Sequence, residues 1–187
     1  MLKQHPSTKR LLSLIMSLVF LLSVTLLFPP AVFAVEDPPM EYFVANEAQF
    51  RTSYAAAAAI DRIFLNNDIT LTEDLSFSKN IPINCGSYTI TVRSTVTFSS
   101  GSIAANTNQL IIEDGGELRV LPGATIYGGE ANAIVVNSGG SLLMSGGSIA
   151  TGENGILING GEATITGGTI TIQTDNGIGV AVNTDSF

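Results

Sequence analysis

Tryptophan is absent, and the 187-residue chain holds one histidine, His5, and one cysteine, Cys85. A single cysteine excludes an internal disulfide. A single histidine so near the start leaves the rest of the chain without histidine-based triads or metal ligands. Cations are scarce as well: eight Lys and Arg stand against sixteen Asp and Glu, and beyond residue 95 only Arg119 is basic. Nucleic acid and anionic lipid are held by Lys and Arg that displace counterions, so neither is an expected partner. No asparagine lies in an Asn-X-Ser/Thr sequon, which points to a bacterial secretory source.

Long apolar runs are missing except for one. Leu11 to Phe28 is an apolar stretch of 18 residues, preceded by Lys3, Lys9 and Arg10 and followed by Pro29-Pro30 and Val32-Phe33-Ala34. That order is the plan of a secretory signal, with cleavage expected after Ala34. The rival reading is an uncleaved anchor, since 18 residues is the lower limit for a span. Either way the basic flank stays inside and the remainder is exported. Removal of residues 1–34 leaves five bases against sixteen acids, a net charge of −11, on a chain with no expected membrane contact after cleavage.

What is present is repetition. Asn108, Asn132, Asn154 and Asn176 recur at steps of 24, 22 and 22 residues. Each is followed by an alternating apolar pair: Leu110/Ile112, Ile134/Val136, Ile156/Ile158 and Ile178/Val180, aligned with Ile90/Val92 before them. A second slot holds Val96/Phe98, Leu118/Val120, Leu142/Met144 and Ala163/Ile165, and a third holds Ile103, Ile126, Ile149 and Ile170. Alternation of period two inside a period in the twenties is the mark of a solenoid of stacked β-coils. The expected coils are 86–107, 108–131, 132–153, 154–175 and a partial one from 176, so that the tube is incomplete at Phe187. Ile134, Ile156 and Ile178 should lie one above the other.

A lone coil buries too few side chains to offset the entropy of ordering it, and stacking supplies the missing backbone bonds and cover. The expectation is therefore all-β: a right-handed parallel β-helix, single-stranded, with three short strands per coil of about 22 residues, the hand following the general crossover rule. Ahead of it, residues 35–41 read as a flexible leader and 42–62 as an N-terminal cap. That cap comprises the strand Tyr42-Phe43-Val44 and an α-helix over Glu47–Ala59, with Asn46 and Gln49 as its capping box and Phe50, Tyr54 and Ala57/Ala58 as its stripe. Residues 63–187 form the β-helix, beginning less regularly with Ile63/Leu65, Ile69/Leu71, Leu75/Phe77 and Ile81/Ile83.

The polar repeats read as structure. The asparagine file is expected to be a ladder of stacked amides at one corner, where Asn also tolerates the left-handed conformation. Paired glycines at 115–116, 128–129, 139–140, 146–147, 160–161 and 167–168 allow positive φ at corners and lack the spacing of a phosphate loop. Calcium is the one cofactor to weigh for an acidic exported solenoid, yet Gly160-Gly161-Glu162-Ala163-Thr164 lacks the Gly and Asp of a calcium-binding turn, and the acids read as solvated charge. Thr164/Thr166 and Thr169/Thr171 have no matching ranks in adjacent coils, which argues against a flat ice-binding array. Glu117 and Arg119, two apart on a strand, should both point outward as a salt pair rather than serve as acid and base. Cys85 reads as a small buried hydrophobe.

Aligned in this way, the chain resembles a right-handed parallel β-helix of the pectate-lyase-like superfamily, and more narrowly the adhesive and surface domains of that kind in bacterial cell-envelope proteins. The segments that carry the likeness are "IDRIFLNNDITLTEDLSF" after the Ala-rich helix, "INCGSYTITV", and Gly-Gly-rich coils such as "GGSLLMSGGSIATGENGILINGGEATITGGTITI". The resemblance spans about residues 42–187 and implies the fold; the superfamily holds lyases, hydrolases and non-catalytic adhesins, and no catalytic motif of its enzymes can be placed here. The expected role is a secreted or surface-displayed, non-catalytic adhesive or stalk module of a bacterial envelope. Its expected partners are cell-wall or host glycans or a surface protein. The alternative is the N-terminal part of a polysaccharide lyase or glycoside hydrolase whose catalytic coils lie elsewhere.

Overall fold

The computed structural model describes residues 38–105 and 110–183. The expected signal segment, the first three residues of the leader, Asn108 and the last four residues lie outside that range. The chain opens with β1 (Glu41–Val44) and the helix α1 (Glu47–Ala56). It then winds through β2 (Arg62–Leu65), β3 (Ile69–Leu71), β4 (Leu75–Phe77), β5 (Pro82–Gly86), β6 (Ile90–Val92) and β7 (Thr95–Phe98). The coils continue with β8 (Gly101–Ala105), β9 (Leu110–Ile112), β10 (Glu117–Val120), β11 (Ala124–Tyr127) and β12 (Ile134–Asn137). Last come β13 (Ser141–Thr151), β14 (Asn154–Asn159), β15 (Glu162–Ile172) and β16 (Ile178–Asn183). Every pairing between these strands is parallel. The molecule is a parallel β-solenoid.

Three faces build the tube. The first is β3-β6-β9-β12-β14-β16. The second stacks β4, β7, β10 and the first halves of β13 and β15, and the third stacks β1, β2, β5, β8, β11 and their second halves. β13 and β15 each run through the corner between the second and third faces, so those faces merge into one sheet. Gly147 turns that corner with φ +77°, and a Cβ there would lie 2.8 Å from the Ala124 carbonyl. One glycine of each expected pair has positive φ. Its neighbour in several pairs has no room for a side chain instead, as at Gly140, where a Cβ would meet the Ile112 carbonyl at 2.7 Å.

The inward files follow from alternation. On the second face Val96, Leu118, Leu142 and Ala163 stand in register; on the third, Ile103, Ile126, Ile149 and Ile170 do. The solenoid starts earlier than the regular repeats. Ile63 pairs with Ile83, Ile69 with Ile90 and Leu75 with Val96, so residues 62–83 already complete a coil, and β1 is a rung of the third face rather than a separate element of a cap.

One file departs from expectation. Ile134 and Ile156 are stacked, but Val180 stands above Ile156, and Ile178 stands above Asn154. The turn after β15 takes two residues more than a 22-residue repeat allows. Thr174 Oγ1 donates to the Gly152 carbonyl and Ile178 N to the Glu153 carbonyl, fixing the longer path. Side chains of this last stretch are poorly covered: Ile178 is 52 % and Val182 59 % exposed, whereas Ile134 is fully buried.

α1 closes the opposite end. Asn46 Oδ1 accepts the Gln49 N–H at 2.9 Å, and Gln49 Oε1 accepts the Ala45 N–H at 2.9 Å, which gives the helix a reciprocal cap. Its buried Phe50 and Tyr54 meet Phe77 edge-on at 5.7 and 5.2 Å, and Phe77 meets Phe98 in the same way at 5.6 Å. The helix stops at Ala56, three residues before the expected end, because Ala57 is extended and Lys79 Nζ donates to the carbonyls of Tyr54, Ala55 and Ala57. Asp61 then accepts the Ala58 and Met40 N–H groups at 2.7 and 2.8 Å, locking the exit from the helix against the start of β1.

Candidate binding groove on the third face

On the third face the inward residues Ile63, Ile83 and Ile103 leave their neighbours facing out. The register places Arg62, Pro82 and Ser102 in one outward column and Phe64, Asn84 and Ala104 in the next. Adjacent rungs lie about 4.8 Å apart, so residues twenty apart in sequence become neighbours. These six line an open groove. Ser102 and Ala104 contribute small side chains to its lining, and Phe64 contributes an aromatic ring. One face of Phe64 is covered by Phe43, stacked on it at 5.3 Å with 23° between the planes. Farther along the same column stands Tyr127, which is 46 % exposed.

Charge and hydrogen bonding distinguish this groove. Arg51 is bound to Glu47 and to the Glu73 and Asp74 carbonyls, Lys79 to three helix carbonyls, Arg93 to Glu113 and Arg119 to Glu117. Among the described residues Arg62 is the one cation whose side chain has no such partner. Asn84 spends its Oδ1 on the Gly86 N–H at 2.9 Å, which leaves its NH2 to face outward. An aromatic face with guanidinium and amide donors around it suits a ring that is apolar on its faces and oxygenated at its edge.

The residues singled out from sequence lie elsewhere. Asn154 Nδ2 donates to Asn132 Oδ1 at 2.7 Å, a rung of the expected file. Asn176 is outside it: Asn154 pairs with Ile178, so the longer turn leaves Asn176 two residues short of the corner. None of the described asparagines has positive φ, so Asn serves here through its amide and not through left-handed backbone. A second pair, Asn159 on Asn137 at 3.1 Å, forms at the next corner, a contact that the shared 22-residue step of Asn137 and Asn159 could have revealed. Arg119 and Glu117 form an outward ion pair at 2.7 Å, and the carboxylate raises the guanidinium pKa further. Cys85 faces inward; burial pushes its thiol up to about 12.

Carboxylates act as struts between coils. Asp68 and Asp74 accept the Thr89 and Thr95 N–H groups of the next coil, each at 2.9 Å. Glu47 of α1 accepts from Thr72 and Arg51; burial works against its charge, but these bonds outweigh burial and lower its pKa. Asp61 is lowered by its bonds from Met40 and Ala58. Among the described residues no three His, Cys, Asp or Glu side chains converge as a metal site, and no helix is long and apolar enough to cross a membrane. No family model, curated protein or solved structure matches the chain.

Proposed function

We propose that this chain is a secreted or surface-displayed module of a bacterial envelope, a non-catalytic β-helix of the pectate-lyase-like kind that serves as a stalk and contacts glycans. The groove of the third face is the contact site. Phe64 offers its ring to the C–H face of a sugar, Arg62 and Asn84 donate to its oxygens, and Ser102 completes the edge. The observation that carries this reading is Arg62, a cation without a partner among the described residues, beside an aromatic ring on a strongly acidic chain. The secretory signal read in residues 1–34 supports export, and the Gly-Gly coils support the kinship.

A glycan array probed with the protein tests the proposal. Binding that is abolished by Arg62→Ala or Phe64→Ala, unchanged by Arg119→Ala, and free of product release supports it. Turnover of a bound polysaccharide, or binding indifferent to Arg62 and Phe64, overturns it.

A further inference from the structure

Three Asn-Gly dipeptides occur in the coils: Asn154-Gly155, Asn159-Gly160 and Asn176-Gly177. A following glycine lacks the Cβ that would keep its amide nitrogen away from the asparagine side chain. All three are therefore chemically disposed to cyclise, and local structure decides which does. Asn154 lies in β14 with its NH2 tied to Asn132, and Gly155 is inside the same strand. Asn159 closes that strand with its NH2 on Asn137, it pairs with Asn183 in the next coil, and Gly160 is bridged to Asn137. Asn176 has neither restraint. The two extra residues of its turn remove it from the amide file; it is exposed, its side chain has no partner among the described residues, and Gly177 precedes the strand pairing that begins at Ile178.

We propose that Asn176 is a structure-selected site of spontaneous deamidation, converting to isoaspartate and aspartate ahead of the other two. The Gly177 nitrogen attacks Cγ of Asn176, a C–N bond forms, the displaced amide takes up the proton and leaves as ammonia, and a five-membered succinimide remains. Water then opens either carbonyl. Opening at Cγ gives aspartate; opening at the main-chain carbonyl gives isoaspartate, whose backbone runs through the former side chain. No oxidant or other reactant enters. Either product places a new carboxylate next to Asp175, and isoaspartate also adds a methylene to the backbone of the turn joining β15 to β16.

Peptide mapping of the full chain, aged in warm, mildly alkaline buffer, reads the reaction by mass, and isoaspartyl methyltransferase labelling reads the rearranged linkage. In the folded protein the Asn176 peptide is expected to convert about tenfold faster than those of Asn154 and Asn159, which must first break an amide bond and open locally. In guanidinium chloride the three rates should converge. Asn176→Gln should remove the early isoaspartyl signal and leave the other two sites unchanged. Equal rates in the folded protein, or conversion led by Asn154 or Asn159, would overturn the assignment.

Discussion

The side-chain amide of Asn154 donates to Asn132 Oδ1 at 2.7 Å, one coil nearer the helical end. The contact joins two coils at a corner of the tube. Replacing Asn154 with Ala removes this inter-coil bond from the half-buried Asn132 oxygen. The expected loss is about 1–2 kcal/mol, measured by urea unfolding. Asn132→Ala combined with Asn154→Ala should cost clearly less than the two single losses added together. Strict additivity would sink the ladder as an energetic link.

Acid should loosen the helical end first. Asp61 and Glu47 both have pKa values below their ordinary 3.8 and 4.5. A carboxylate lowered in the folded state contributes stability that is fully present above its unfolded pKa and lost as pH falls through the folded value. The loss therefore sets in below about pH 4.5 for Glu47 and below about pH 4 for Asp61. Thermal melts from neutral pH down to about pH 3 should show a smaller fall for Asp61→Asn than for the parent chain, because the variant has already given up the titrating group. An equal fall would assign the acid sensitivity elsewhere.

Cys85 should be silent towards thiol reagents in the folded protein. Its thiol faces the core and burial holds it protonated up to about pH 12. Reaction with a disulfide reagent should wait for unfolding and then proceed at the rate of a free thiol. Rapid labelling under native conditions would mean that the third face opens.

Two glycines separate backbone strain from crowding. Gly86 has φ +58° and no atom within 4 Å of the place a Cβ would take, whereas at Gly147, φ +77°, a Cβ would lie 2.8 Å from the Ala124 carbonyl. Gly86→Ala should cost about 1–2 kcal/mol, the left-handed strain alone. Gly147→Ala should cost more, since β11 and β13 must part to admit it. Chemical denaturation of the two variants gives the comparison, and equal losses would show that the corner yields freely.

Much of the tube was legible because its inner wall repeats at period two. Val96, Leu118 and Leu142, or Ile103, Ile126 and Ile149, could be aligned on paper, since each sits midway along a strand whose partners set the register. The last coil could not. Ile178 follows Asn176 as Ile156 follows Asn154, and the longer turn shows only in three dimensions, in the pairing of Ile178 with Asn154 and the bond from the Thr174 hydroxyl to the Gly152 carbonyl. The groove was hidden for another reason. Arg62, Pro82 and Ser102 share no motif, and they meet only because coils of twenty residues bring Ile63, Ile83 and Ile103 into file. A period in the twenties was readable; its drift from twenty residues, Ile63 to Ile83, to twenty-four, Ile156 to Val180, was not.

The seating of Phe50 and Tyr54 on Phe77 gives the tube a direction. With one rim sealed, duplication of a coil in the gene can be absorbed only within the stack or at the far rim, and each added layer inherits a ready template of Ile, Val and Asn. Length is thus the trait this architecture can vary most simply: the tube could change by whole coils while the sealed end, and the groove beside it, kept their form.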